Sequence, residues 1–175
     1  MQPCDLIDTA LMLVEGRGRK GKPREADLRR AMSTAYYAMF HALCRNCADC
    51  LVGPEGSRRS QAAWLQAYRA VNHGEAKNRF GNRPDRQLPE IMTLFPDGLQ
   101  EFATRFVILQ AKRHEADYNP AFDLTSDVVL TEITAAQKAI EMLNNSSDKD
   151  RTAFAVYTLL EKRKIPEILN AGPGG

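Results

Sequence analysis

A chain of 175 residues, 43% hydrophobic and 26% charged, is long enough for one domain with a real core and too apolar for a disordered segment. No uncharged apolar run approaches the ~18 residues of a membrane span, and acids at Asp5, Asp8 and Glu15 are at odds with a secretory leader, so a soluble cytoplasmic protein is expected. The formal net charge of +2 conceals an asymmetry: residues 16–30 and 58–86 each carry seven Lys or Arg against two acids, whereas residues 115–150 carry eight acids against two lysines. The two basic segments are either an electrostatic footprint for a phosphate backbone or ordinary solvated loops.

Leu6, Ala10, Leu13 and Val14 recur at helical spacing and predict a first helix over residues 5–15. The sequence GRGRKGKP then interrupts it as a flexible basic loop, in which Arg17, Arg19 and Lys20 are candidates for clamping a phosphate chain. A second helix is expected from about residue 24 to 50, stopping before Gly53-Pro54. A third covers residues 60–72, with Trp64, Leu65, Tyr68 and Val71 on its apolar side. His73-Gly74 is read as its C-terminal end, where glycine accommodates a left-handed residue and a histidine suits the dipole. Residues 75–96 contain Gly81, Pro84, Pro89 and Pro96 and are expected to form a loop with one or two short turns. A fourth helix spans 97–118 and ends before Pro120; a fifth spans 126–144, with Val129, Ile133, Ala136, Ile140 and Leu143 as its buried stripe. A sixth runs over 148–164 behind a candidate cap at Ser147 or Asp148. No segment alternates as a strand would, so the fold class is all-α: an antiparallel bundle of five to six helices in one domain over residues 1–171, with a loose tail at 172–175.

The second helix holds the most unusual pattern, LRRAMSTAYYAMFHAL over residues 28–43. Residues three or four apart are neighbours on a helix, so Arg30, Ser33 or Thr34, Tyr37 and His41 share one flank. Tyr36 and Tyr37 point about 100° apart, which leaves one for a ligand and the other for the core. Further along, Cys44, Cys47 and Cys50 form CRNCADC. That spacing suggests metal or redox chemistry in outline. Helical steps of three turn the thiols gradually around the axis, however, and no second ligand pair exists to complete a tetrahedral site, so small hydrophobes in the core are the simpler reading. No metal and no cofactor is expected.

Two stretches resemble the signature helices of the HEPN superfamily: Ser33, Ala35, Tyr36, Tyr37, Ala38, Phe40 and His41 in the first, and Arg113, Ala116, Asp117 and Tyr118 in the second. The resemblance covers roughly residues 28–143. It implies a HEPN-like helical bundle, a homodimer, and one of two roles. The first is RNA binding with metal-independent endoribonuclease activity in a toxin–antitoxin or phage-defence system. The second is a non-catalytic module that dimerises and binds a partner such as an antitoxin or a nucleotidyltransferase. The ribonuclease members pair an Arg with a His some four to six residues later. Here Arg69 and His73 have three residues between them, and Arg105 and His114 have eight.

Cleaving RNA without a metal requires a base for the 2′-hydroxyl, an acid for the leaving oxygen and a cation for the phosphorane, which are roles for His and Arg. Arg113, His114 and Asp117 form the densest cluster: Asp117 lies one turn from Arg113 and would orient it toward a phosphate while His114 moves a proton, or Arg113 and Asp117 are simply a structural pair. Arg69 and His73 are either a phosphate-facing pair or an exposed helix end. His41 is either part of an RNA-binding flank with Tyr37 and Arg30 or a bundle histidine bonded to a neighbouring helix. No phosphate-binding loop, dinucleotide fingerprint, nucleophile elbow or metalloprotease helix is present.

Overall fold

The computed structural model describes residues 2–16, 22–81 and 89–160. Arg17, Arg19 and Lys20 of the predicted phosphate clamp, residues 161–164 of the last predicted helix and the tail at 172–175 lie outside them. Among the described residues the chain is all helical, with α1 (Pro3–Val14), α2 (Glu25–Val52), α3 (Gln61–Arg69), α4 (His73–Phe80), α5 (Asp97–Tyr118), α6 (Ser126–Asn145) and α7 (Asp148–Leu159). A 3-10 segment, Glu90–Leu94, precedes α5. None of these helices is long and apolar enough to cross a membrane.

The helix α2 is the axis of the bundle, touching α1, α3, α5, α6 and α7. Its 28 residues contain no glycine or proline, and 16 of them are buried, on more than one face, as a central helix requires. Ala31, Ala35, Ala38 and Ala42 are all buried, and their small side chains admit close neighbours. Gly53 ends the helix at φ 123°, a conformation L side chains rarely adopt. The flanking helices bury single stripes: Ile7, Ala10, Leu13 and Val14 in α1, and Val129, Ile133, Ala136, Ile140 and Leu143 in α6. The bounds of α5 are those expected from its sequence, and α6 extends one residue further.

The count of helices exceeds the predicted five to six because a further helix, α4, occupies part of the segment expected to be a helix end and loop. α3 stops at Arg69, and α4 starts at His73. The Asn72 side chain accepts from the backbone N–H groups of Gly74 (2.8 Å) and Glu75 (3.2 Å), which makes it an N-cap. Gly74 therefore sits inside a first turn. Packing reinforces the choice, because Ala76 and Phe80 of α4 are buried and Phe80 meets Phe106 of α5 edge-on at 5.5 Å and stacks on Phe154 of α7 at 5.2 Å. Arg79 donates to the carbonyls of Tyr157 (3.0 Å) and Leu160 (2.7 Å), fastening α4 to the end of α7. The expected apolar face of α3 is shallow: no residue of α3 is buried, and Leu65 is exposed.

Candidate functional site

α2 and α5 lie side by side, and their shared flank is polar. Arg29 reaches across first. Its guanidinium donates to the carbonyl oxygens of Ala116 (2.8 Å), Asn119 (2.9 Å), Pro120 (3.2 Å) and Phe122 (3.1 Å), satisfying carbonyls that the end of α5 leaves open. This anchor sets the register of the two helices. One turn on, Ser33 Oγ donates to Asp117 Oδ1 at 2.5 Å. Asp117 Oδ2 lies 2.7 Å from Arg113 Nε, the i,i+4 pair expected from sequence. The Nε is buried and its N–H is not aligned on that oxygen, so the contact is an ion pair rather than a directed hydrogen bond. Arg113 then donates from Nη2 to Tyr37 Oη at 3.1 Å, and its Cζ lies 5.6 Å from the Tyr37 ring centre. The guanidinium is thus fixed from two sides while both partners of its ion pair remain about one-quarter exposed.

Two histidines lie beside this pair. His73, at the first position of α4, stacks on Phe40 at 3.6 Å between ring centres and meets the edge of Tyr37 at 6.2 Å. Its Nδ1 shares a hydrogen bond of 2.6 Å with the hydroxyl of the fully buried Tyr36. Gln110 of α5 donates to the His73 carbonyl at 3.2 Å. His41 of α2 shares a 2.6 Å hydrogen bond between Nδ1 and the Tyr68 hydroxyl of α3, the cross-helix bond of the structural alternative. Burial lowers the pKa of both imidazoles below the ordinary 6.5, and the positive charge of Arg113 lowers that of His73 further. Near neutral pH both rings are therefore uncharged and suited to accept a proton.

The fold separates other residues that the sequence grouped. His114 is exposed and its ring meets only Tyr118, at 4.9 Å; it makes no hydrogen bond to the Arg113 cluster among the described residues. Neighbouring positions on α5 point about 100° apart, so Arg113 and His114 cannot share a target in the core-facing groove. Arg69 ends α3, is exposed, and lines a cleft with His41, Trp64 and Tyr68. Among the described residues no hydrogen bond joins it to His73, because the helix breaks between α3 and α4. Arg30 is exposed with no side-chain partner among the described residues, although Ser33, Tyr37 and His41 on the same flank all engage neighbouring helices. Ser33 and Tyr36 complete the cluster, and Trp64 joins it through Tyr68. Ser33 and Tyr37, one turn apart on α2, face Asp117 and Arg113, one turn apart on α5, and that matching four-residue spacing was the available sequence signal.

The cysteines follow the site residues along α2. Cys44 and Cys47 are buried and Cys50 partly so. Burial raises all three thiols, that of Cys44 to about 12, which holds them protonated and opposes the thiolate form that metal ligation needs. Among the described residues, no group of three or more His, Cys, Asp or Glu is placed to hold a metal ion.

Comparison with protein-family models, curated proteins and solved structures returned no match.

Proposed function

We propose that this is an RNA-binding protein of HEPN-like character whose site centres on Arg113, with Tyr37, His41 and His73 around it. The observation that carries this reading is the Arg113 guanidinium, held between Asp117 and Tyr37 Oη beside the half-buried imidazole of His73, whose pKa is lowered by burial and then by the Arg113 charge. An oriented planar fork of donors suits a phosphate, and the adjoining rings suit a base or ribose. Metal-independent cleavage of the bound strand is part of the proposal: neutral His73 removes the 2′-hydroxyl proton, the 2′-oxygen bonds to phosphorus as the bond to the 5′-oxygen breaks, the leaving oxygen takes its proton from water, and Arg113 faces the phosphate oxygens on which charge develops. Two neutral histidines supply a base more readily than an acid.

The test measures the affinity of a labelled RNA at two salt concentrations, with EDTA present. Affinity is expected to fall steeply with salt. Arg113→Ala combined with Asp117→Asn, which removes the cation without leaving a bare carboxylate, is expected to weaken binding about tenfold. His73→Ala is expected to stop cleavage while the RNA stays bound. RNA affinity indifferent both to salt and to the double substitution would reject the site.

A second reading, a non-catalytic module that dimerises and binds a partner protein, draws on the divergence of Arg113 from His114 and of Arg69 from His73. It also draws on the exposed end of α5, where Tyr118 is 67% exposed. Salt-insensitive self-association without RNA affinity would favour it.

A further inference from the structure

The rings around Arg113 continue well beyond it. Tyr37 and His41 occupy successive turns of α2 with centres 6.4 Å apart. His41 stacks on Tyr68 of α3 at 6.0 Å and 19°, and Tyr68 stacks on Trp64 at 5.0 Å and 27°. At the other end, Arg113 lies 6.0 Å from the Tyr118 ring. The row crosses α3, α2 and α5 with no step longer than 6.4 Å; Tyr118 is exposed and the other members are partly exposed. Its α3 end opens into a cleft of about 710 Å³ bordered by His41, Trp64, Tyr68 and Arg69. The cations there are unequal. Arg59 lies over Trp64 at 4.6 Å but is paired with Asp49, and Arg45 is paired with Asp49 and Glu55. Arg69 has no side-chain partner among the described residues and remains available to an anion.

Resting on the RNA reading above, we propose that the ligand is a single strand: RNA runs along this row from Arg113 to the α3 cleft, its unstacked bases against His41, Tyr68 and Trp64 and a phosphate on Arg69. Paired bases in a duplex hide their faces from such a row. Stacking of this kind tolerates any base.

Trp64 is the only tryptophan in the chain, so its emission reports on the cleft directly. The experiment titrates the full chain with an oligouridylate of about ten nucleotides, reading Trp64 fluorescence and the anisotropy of an end-labelled copy together. Quenching is expected to saturate with the anisotropy. Trp64→Ala is expected to weaken binding about tenfold and Trp64→Phe far less. Arg69→Ala, at an exposed position with no partner to lose, is expected to lower the salt slope by about one. RNA that binds through Arg113 while Trp64 emission and the Trp64 and Arg69 variants stay unmoved overturns the track and leaves the RNA site standing. So does a duplex of equal length binding as tightly as the single strand. Absence of any RNA binding removes both.

Discussion

Cys44 and Cys47 follow His41 on α2 by one and two turns, and both sets of side chains looked chemically active in the sequence. The fold treats them differently. The thiols point into the core, where burial pushes their pKa up and, among the described residues, no group of metal ligands surrounds them. The hydroxyl of buried Ser33 and the rings of partly exposed Tyr37 and His41 point at α3 and α5, where each finds a specific polar partner. Reactivity in a side chain is thus a property of its burial and its partners. A thiol with neither charge partner nor water behaves as a methyl-sized hydrophobe, whereas a phenol or imidazole with one bonded edge and one open edge can still meet a ligand.

The comparison breaks most visibly at Arg29. If the polar face depends on the register of α2 against α5, Arg29→Ala should cost about 3 kcal/mol, since it leaves four carbonyls without their charged donor. Chemical denaturation would show this, and a loss within error of zero would mean that the α2–α5 register is held elsewhere. On the thiol face, Cys47→Ser replaces a weakly polar group by a hydroxyl in an apolar setting and should cost about 1–2 kcal/mol. A thiol-labelling time course sharpens the point: exposed Cys4 should react at once, and Cys44 and Cys47 only as fast as the protein unfolds. Rapid labelling of all four would contradict the burial. The smallest effect is one of pH. His41 and His73 have folded pKa values below the ordinary 6.5, so the unfolded chain takes up their protons first as pH falls. Their contribution is complete above about 6.5 and is lost as pH drops toward the lowered folded values. Melting temperature measured from pH 7.5 downward should decline through that window, and less so in the His41→Gln, His73→Gln double variant.

Local rules carried much of the fold. Pro96 and Pro120 bracket α5, Ser147 caps α7 by accepting from the Asp150 N–H at 3.2 Å, and the apolar spacing of α6 matches its buried stripe. The Arg113–Asp117 pair was legible too, since an i,i+4 spacing needs nothing but a helix. The break at residues 70–72 was not. An Asn-His-Gly sequence serves equally as the end of one helix or the start of the next, and the choice turns on Phe80 reaching Phe106 and Phe154, 26 and 74 residues away along the chain. That break carried His73 inward to Tyr36 and left Arg69 behind on α3, dissolving one expected Arg–His pair. The other failed for a local reason that a helical wheel contains: adjacent residues diverge by about 100°.

By itself the sequence determined that this chain is helical, where most helices begin and end, and which residues one turn apart can meet, because those depend on interactions within a few residues. Only the tertiary structure decided that Tyr37 meets Arg113, that Tyr36 binds His73 and that His41 binds Tyr68. Each of those contacts closes a loop of tens of residues, and its partners are chosen by how the helices pack and not by any spacing along the chain.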